Sequence, residues 1–198
     1  VAYDPFISID DLYAYLRLPA LGVGETDDLS TIALDSACYT IRGFLHQTIN
    51  RVTDDVIAID TDGTDTVMLP EAPVVSVSDV SSFTTTTDFT LYTYDPARYM
   101  IDYDKGLIVF RGALFPDRRA AVQVTYTHGW DVIPTDIRIV ALTLAARIYD
   151  QGLAKAETIG NTRLVYSHDE SLGLSPREKD ILVKYRRSGV PRSYRITT

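Results

Sequence analysis

Cysteine is all but missing from this chain of 198 residues: Cys38 is the only one. A disulfide framework and a cysteine-built zinc site are therefore excluded within one chain. Lying between Ala37 and Tyr39 in a helical pattern, Cys38 is expected to be a small buried thiol. Histidine is scarce as well: His46, His128 and His168 fall in no spaced ligand motif such as His-Glu-x-x-His. Glycine-rich phosphate loops, nucleophile elbows and Cys-x-x-Cys pairs are absent, so no enzyme chemistry, cofactor or metal is expected. No stretch approaches the roughly 20 apolar residues of a membrane span, which predicts a soluble chain without a membrane partner. The first residues, Val1-Ala2-Tyr3-Asp4, lack the basic start and apolar run of a signal peptide. Translation is expected to begin just upstream, with synthesis in a reducing cytoplasm.

Positive charge is nearly missing from the front half. Residues 1–104 hold 18 acids against Arg17, Arg42, Arg51 and Arg98, whereas residues 105–198 hold nine acids and 15 bases. The halves carry −14 and +6 within a net charge of −8. The segment from Arg177 to Arg195 alone has seven bases against Glu178 and Asp180. Such asymmetry predicts complementary surfaces on neighbouring copies, or a basic interaction tail. Capture of DNA by the whole surface is a poor reading, because most of the chain repels phosphate.

With 45% hydrophobic and 23% charged residues, the chain has the balance of a folded domain large enough for a substantial core. Ser8-Ile9-Asp10-Asp11 reads as a helix start, with Leu12, Tyr15 and Leu16 at helical spacing and Pro19 as a stop. A second helix is predicted from Thr26 or Asp27, its apolar face running from Leu29 to Ile49. Gly43 weakens it by about 1 kcal/mol relative to Ala, which a close helix crossing would offset.

The pattern then changes to strands. Val56–Ile59 and Thr66–Leu69 flank Thr61-Asp62-Gly63-Thr64, a hairpin signal. Further strands are predicted at 74–80, 89–94, 99–103, 107–110 and 121–127, with a turn at Asp104-Lys105-Gly106 and a loop at Thr84–Thr87. Helix returns after Pro134, with Thr135 as N-cap and Gly152 as the stop. The stretch from Leu153 to Leu174 has no clear period. Ser175-Pro176-Arg177-Glu178 opens a last helix with a capping-box pattern, and Gly189-Val190-Pro191 closes it. The expected fold is α+β: a helical bundle core from residues 1–53 and 132–189, an inserted antiparallel β module at 54–131, and a C-terminal tail at 190–198.

Three clusters invite a chemical reading and each has a plainer one. His128-Gly129-Trp130-Asp131 reads as a strand end with a tight turn and a packed Trp. Asp60–Asp65 with Glu71 mimics a calcium loop, but its Gly is fourth rather than sixth and its flanks are strands. Asp10-Asp11, Asp27-Asp28 and Asp54-Asp55 stand at element starts, where capping explains them.

Four phrases, in order, resemble the head–tail connector (adaptor) family of tailed bacteriophages. They are Ser8–Leu16 before the helix start at Asp27-Asp28-Leu29, then Met68-Leu69-Pro70-Glu71-Ala72-Pro73-Val74-Val75-Ser76-Val77. Next come Val122–Trp130 with Ile133–Arg138, and last the basic helix ending Lys184-Tyr185-Arg186-Arg187. The match spans almost the whole chain; the Thr-rich segment and 153–174 fit least. The resemblance implies a structural virion protein, assembled in the host cytoplasm and located at the neck. Its copies would form a ring, typically twelve-fold, under the portal protein. That ring would extend the channel for double-stranded DNA, without sequence-specific binding, and dock a downstream stopper or tail-completion protein. An acidic lumen would let DNA slide, and the C-terminal residues Arg186, Arg187, Arg192, Tyr194 and Arg195 are the candidates for docking on the portal. Two alternatives stand beside this reading: another neck or tail-completion protein, or a non-phage binding module that uses the β insertion.

Overall fold

The computed structural model describes residues 5–22, 27–83, 91–156, 173–187, 189 and 193–195. Thr84–Thr87, His168, Arg192 and most of the 153–174 stretch lie outside the described residues. The chain divides into two compact units, one from residues 1–46 and 132–186, the other from 47–131 and 187–198.

The helical unit contains α1 (Ile9–Leu16), α2 (Asp28–Leu45), α3 (Thr135–Ala156) and α4 (Pro176–Leu182). Both ends of the chain contribute, since α1 and α2 pack on α3 and α3 packs on α4. One face of α2, with Ala33, Leu34, Ala37, Cys38, Ile41 and Leu45, is only 0–3% exposed. Ile137, Val140, Ala141, Leu144 and Ala145 of α3 are buried likewise. Truncating one such side chain, Ile41→Ala for instance, removes about 2–5 kcal/mol. The helix starts follow from side-chain caps. Ser8 and Asp11 form a reciprocal capping box on α1, Asp27 accepts from the Leu29 and Ser30 amides of α2, and Ser175 with Glu178 repeats the box on α4. Glu178 also receives both bonds of a fork from Arg147 Nη2, at 2.7 and 2.8 Å, fastening α4 to α3.

The sheet unit contains β1 (Val52–Asp62), β2 (Thr66–Met68), β3 (Val74–Phe83), β4 (Leu91–Thr93), β5 (Tyr99–Asp102), β6 (Leu107–Phe110), β7 (Asp117–His128) and β8 (Ser193–Arg195). Five strands form one antiparallel sheet in the order β4-β3-β7-β1-β8, and three form another in the order β2-β6-β5. The two sheets share one core. Ile57, Ile59, Val80, Val122, Val124 and Tyr126 from the larger meet Val67, Ile108 and Phe110 from the smaller, and Phe110 stacks on Phe115 at 4.0 Å between centroids.

The α+β class stands, but a helical bundle does not describe the core: the described residues are rich in strand, and two antiparallel sheets carry an extensive core of their own. Strands β1 and β7, of 11 and 12 residues, supply much of that second core. The predicted hairpin does not form. Its turn is present, with Gly63 at φ 77°, but β1 pairs with β7 and β2 pairs with β6. Helix α2 stops at Leu45 because His46 takes a left-handed C-cap conformation, φ 58°, so Ile49 belongs to the other unit. Helix α3 runs through Gly152 to Ala156, and Thr135 is its first residue rather than its cap. Gly43 is exposed, and among the described residues nothing lies within 4 Å of where a Cβ would stand, so no close crossing with a described helix accounts for it.

Candidate docking segment and the buried polar cluster beneath it

The last helix gives way to a 3-10 turn, Val183–Tyr185, and the two arginines after it are engaged differently. Within the helical unit, the Arg186 guanidinium lies 5.5 Å from the Phe44 ring centroid and donates to His46 Nε2 at 3.3 Å. Within the sheet unit, Arg187 donates to the Leu69 carbonyl at 2.6 Å and the Lys105 carbonyl at 3.0 Å. Burial draws the Arg187 guanidinium below its ordinary pKa. Arg192 lies outside the described residues.

Farther on, Ser193–Arg195 is an edge strand rather than a free arm. It pairs antiparallel with β1, Ile57 opposite Arg195, Ala58 opposite Tyr194 and Ile59 opposite Ser193. Tyr194 is 45% exposed. Arg195 reaches inward instead and donates to Asp55 Oδ2 at 2.8 Å.

That carboxylate is the centre of a cluster spread over four segments. The same Oδ2 lies 3.1 Å from His128 Nε2, with the Asp55 and His128 side chains only 6% and 0% exposed. Burial pushes the Asp55 carboxyl up, but the bonds from His128 and Arg195 outweigh it and hold the group below its ordinary range. The His128 ring stacks on Tyr126, centroids 4.7 Å apart. Burial, and then the negative fields of Glu71 and Asp55, drive the Tyr126 phenol far up, so it stays neutral. Glu71 accepts from the Thr48 amide at 2.6 Å and the Thr48 hydroxyl at 3.2 Å, and burial raises its pKa.

Local backbone features aim these groups. A bulge between Val52 and Asp55, with Asp54 at φ 50°, brings Asp55 opposite Tyr126. After His128 the chain turns at Gly129, φ 85°, where a Cβ would stand 2.3 Å from the Asn50 carbonyl oxygen. The turn is sealed by bonds from Gly129 N to Pro73 O and from Trp130 N to Ile49 O, each 3.0 Å. The turn reading of His128-Gly129-Trp130 describes this backbone; the buried role of His128 lies outside that reading. A signal for it was present: Asp55 stands in alternation with Ile57 and Ile59, and His128 with Val124 and Tyr126. A charged residue on an apolar stripe implies a buried partner. Chemically the cluster fastens a strand, since its carboxylate is occupied by two donors and closed from solvent.

The head completion protein family matches residues 5–188. A chain from the neck of an empty gene transfer agent particle, computed with C6 symmetry, is 18% identical, with a TM-score of 0.57 over 96% of this chain and 94% of that one. A chain from the virion of the native gene transfer agent particle is 18% identical, with a TM-score of 0.58 over 93% of this chain and 91% of that one. A third, from the neck of the native particle computed with C12 symmetry, is 17% identical with a TM-score of 0.50 over 96% and 97%. These likenesses show the fold. No curated protein matches the chain in sequence. The family match covers nearly the whole chain, and the chain belongs to the head completion protein family.

Proposed function

We propose that this chain is a ring-forming head–tail connector in the neck of a phage-like particle, seated under the portal. The carrying observation is the family match over residues 5–188, joined to a fold shared with chains from the necks of gene transfer agent particles. The family is one of structural virion components and not of enzymes. No described helix is long and apolar enough to cross a membrane. In this reading copies of the chain form a ring, twelve-fold by the resemblance. Residues 1–46 with 132–186 serve as its helical part, and 47–131 with the C-terminal residues 187–198 as its sheet part. The acidic front half suits a lumen through which double-stranded DNA slides without sequence-specific contact. The downstream face receives the next stopper or tail-completion protein. Imaging of the particle neck with this chain tagged tests the reading: a ring directly below the portal is expected, and tag density elsewhere in the particle overturns it.

The docking segment for the portal is the C-terminal one, Arg186, Arg187, Arg192, Tyr194 and Arg195. Three of these are engaged within the chain, since Arg186 contacts His46 and Phe44, Arg187 holds two carbonyls and Arg195 holds Asp55. Tyr194 and the outer edge of β8 are the parts open to a partner strand. Tyr194→Glu changes only that exposed face. The variant is expected to fold with an unchanged circular dichroism spectrum and to leave heads without tails. Normal joining of heads to tails by this variant would move the docking site elsewhere.

A further inference from the structure

Two exposed surfaces of this chain are complementary in both polarity and charge. The first is the end of the sheet unit away from His128. There the loop between β6 and β7 is tied down by bonds from Arg111 N to Arg98 O and from Phe115 N to Thr64 O, each 2.8 Å. Phe115 is buried, 2% exposed, yet the residue before it, Leu114, is 68% exposed. Arg98 and Arg111, neighbours through that backbone bond, are exposed and form no ion pair among the described residues. An anchored loop thus presents one leucine beside two uncompensated cations.

The second surface is the outward face of α2. Ile32 is 58% exposed and Tyr39 is 73% exposed, seven residues apart and so on one stripe. Asp28 stands one turn before Ile32, exposed and without an ion pair among the described residues. One turn beyond Tyr39 is Gly43, whose missing side chain leaves room for close approach. Ile32 and Tyr39 give this stripe an apolar centre with an acid at its end, the make-up of a contact surface with a polar rim.

We infer that the ring closes through these surfaces: the Leu114 tip of one copy seats on the Ile32–Tyr39 stripe of the next, with Arg98 and Arg111 facing Asp28. The inference rests on the ring reading above. Such a contact is head-to-tail, the kind that generates rings when the rotation closes. The opposite charges steer encounter and register, while the buried Leu and Tyr hold the joint. DNA is a poor occupant, since an acidic stripe repels phosphate and a leucine tip gains nothing from it.

Site-directed cross-linking tests this in assembled particles. In a chain carrying both Tyr39→Cys and Leu114→Cys, with Cys38 left buried, a short bismaleimide should yield a denaturing-gel ladder in multiples of 22.1 kDa. Either single variant should give no ladder. Leu114→Asp should cut the number of ring-bearing particles at least tenfold without altering circular dichroism. A tagged ring in the neck that gives no ladder, or gives adducts only with another neck protein, overturns the inference and leaves the connector reading standing. Absence of any ring in the images overturns both.

Discussion

Gly129 combines a φ of 85° with a backbone oxygen 2.3 Å from where its Cβ would stand, so no side chain fits there without moving Asn50. Gly129→Ala is expected to destabilise the protein by roughly 3 kcal/mol, read as a lower urea midpoint. Gly43 is the opposite case, a helical and exposed position with open space around it. Gly43→Ala is expected to stabilise the isolated chain by about 0.5–1 kcal/mol, visible as a rise of a few degrees in Tm. Glu71 gives a pH dependence. Burial raises its carboxyl above the ordinary value of 4.5, so the native state binds the proton more tightly than the unfolded one. Stability therefore declines as pH climbs from about 4.5 through the raised value. Glu71→Gln removes that decline, so the urea midpoint of the variant relative to the unaltered chain should rise between about pH 4 and about pH 7. Of these residues the glycine turn was legible in the sequence. The buried Asp55–His128 pair was not, because its members are 73 positions apart and only their places on apolar stripes hinted at a partner.

At the scale of elements, helix starts were legible and strand partners were not. Ser8, Asp27 and Ser175 announce their helices because capping is local, within three residues. The turn at Gly63 is equally local, but the partners of β1 and β2 come from far along the chain, and no local signal names them. The same limit hid β8. Its composition reads as a basic interaction tail, while its partners lie far back in the chain: Ile57–Ile59 across the ladder and Asp55, 140 residues before the Arg195 that it holds. Arg195→Ala is expected to loosen this strand, lowering stability by about 1–3 kcal/mol because His128 remains as a partner for the buried carboxylate. Hydrogen exchange at Ile57–Ile59, the residues opposite β8, should quicken. Acid should do the same. The folded Asp55 carboxyl is held below its ordinary value of 3.8, so its contribution is complete above that pH and is lost as pH falls through the folded value.

At the scale of the whole molecule, charge is the property that the sequence states most openly, with −14 in the front half and +6 in the back. Contacts between copies that depend on it are individually weak and screened by salt. The isolated chain is therefore expected to be monomeric and to form its ring on the portal. Mass measurement in low and high salt, with and without portal, checks this; a ring that forms unaided and ignores salt would mean that the small apolar joint at Leu114 suffices without help from charge or portal. The division into two units has a further consequence. Each unit is discontinuous, the helical one needing residues 132–186 to complete 1–46, and the sheet one needing 187–198 to complete 47–131. A growing chain on the ribosome thus makes α1 and α2 before α3 and must carry much of the apolar face of α2, Ala33 to Leu45, unburied until α3 follows. By then all but the last strand of the sheet unit has been synthesised. Nascent chains halted before residue 132 should accordingly attract chaperones through α2, and residues 193–195, made later still, cover the edge of β1.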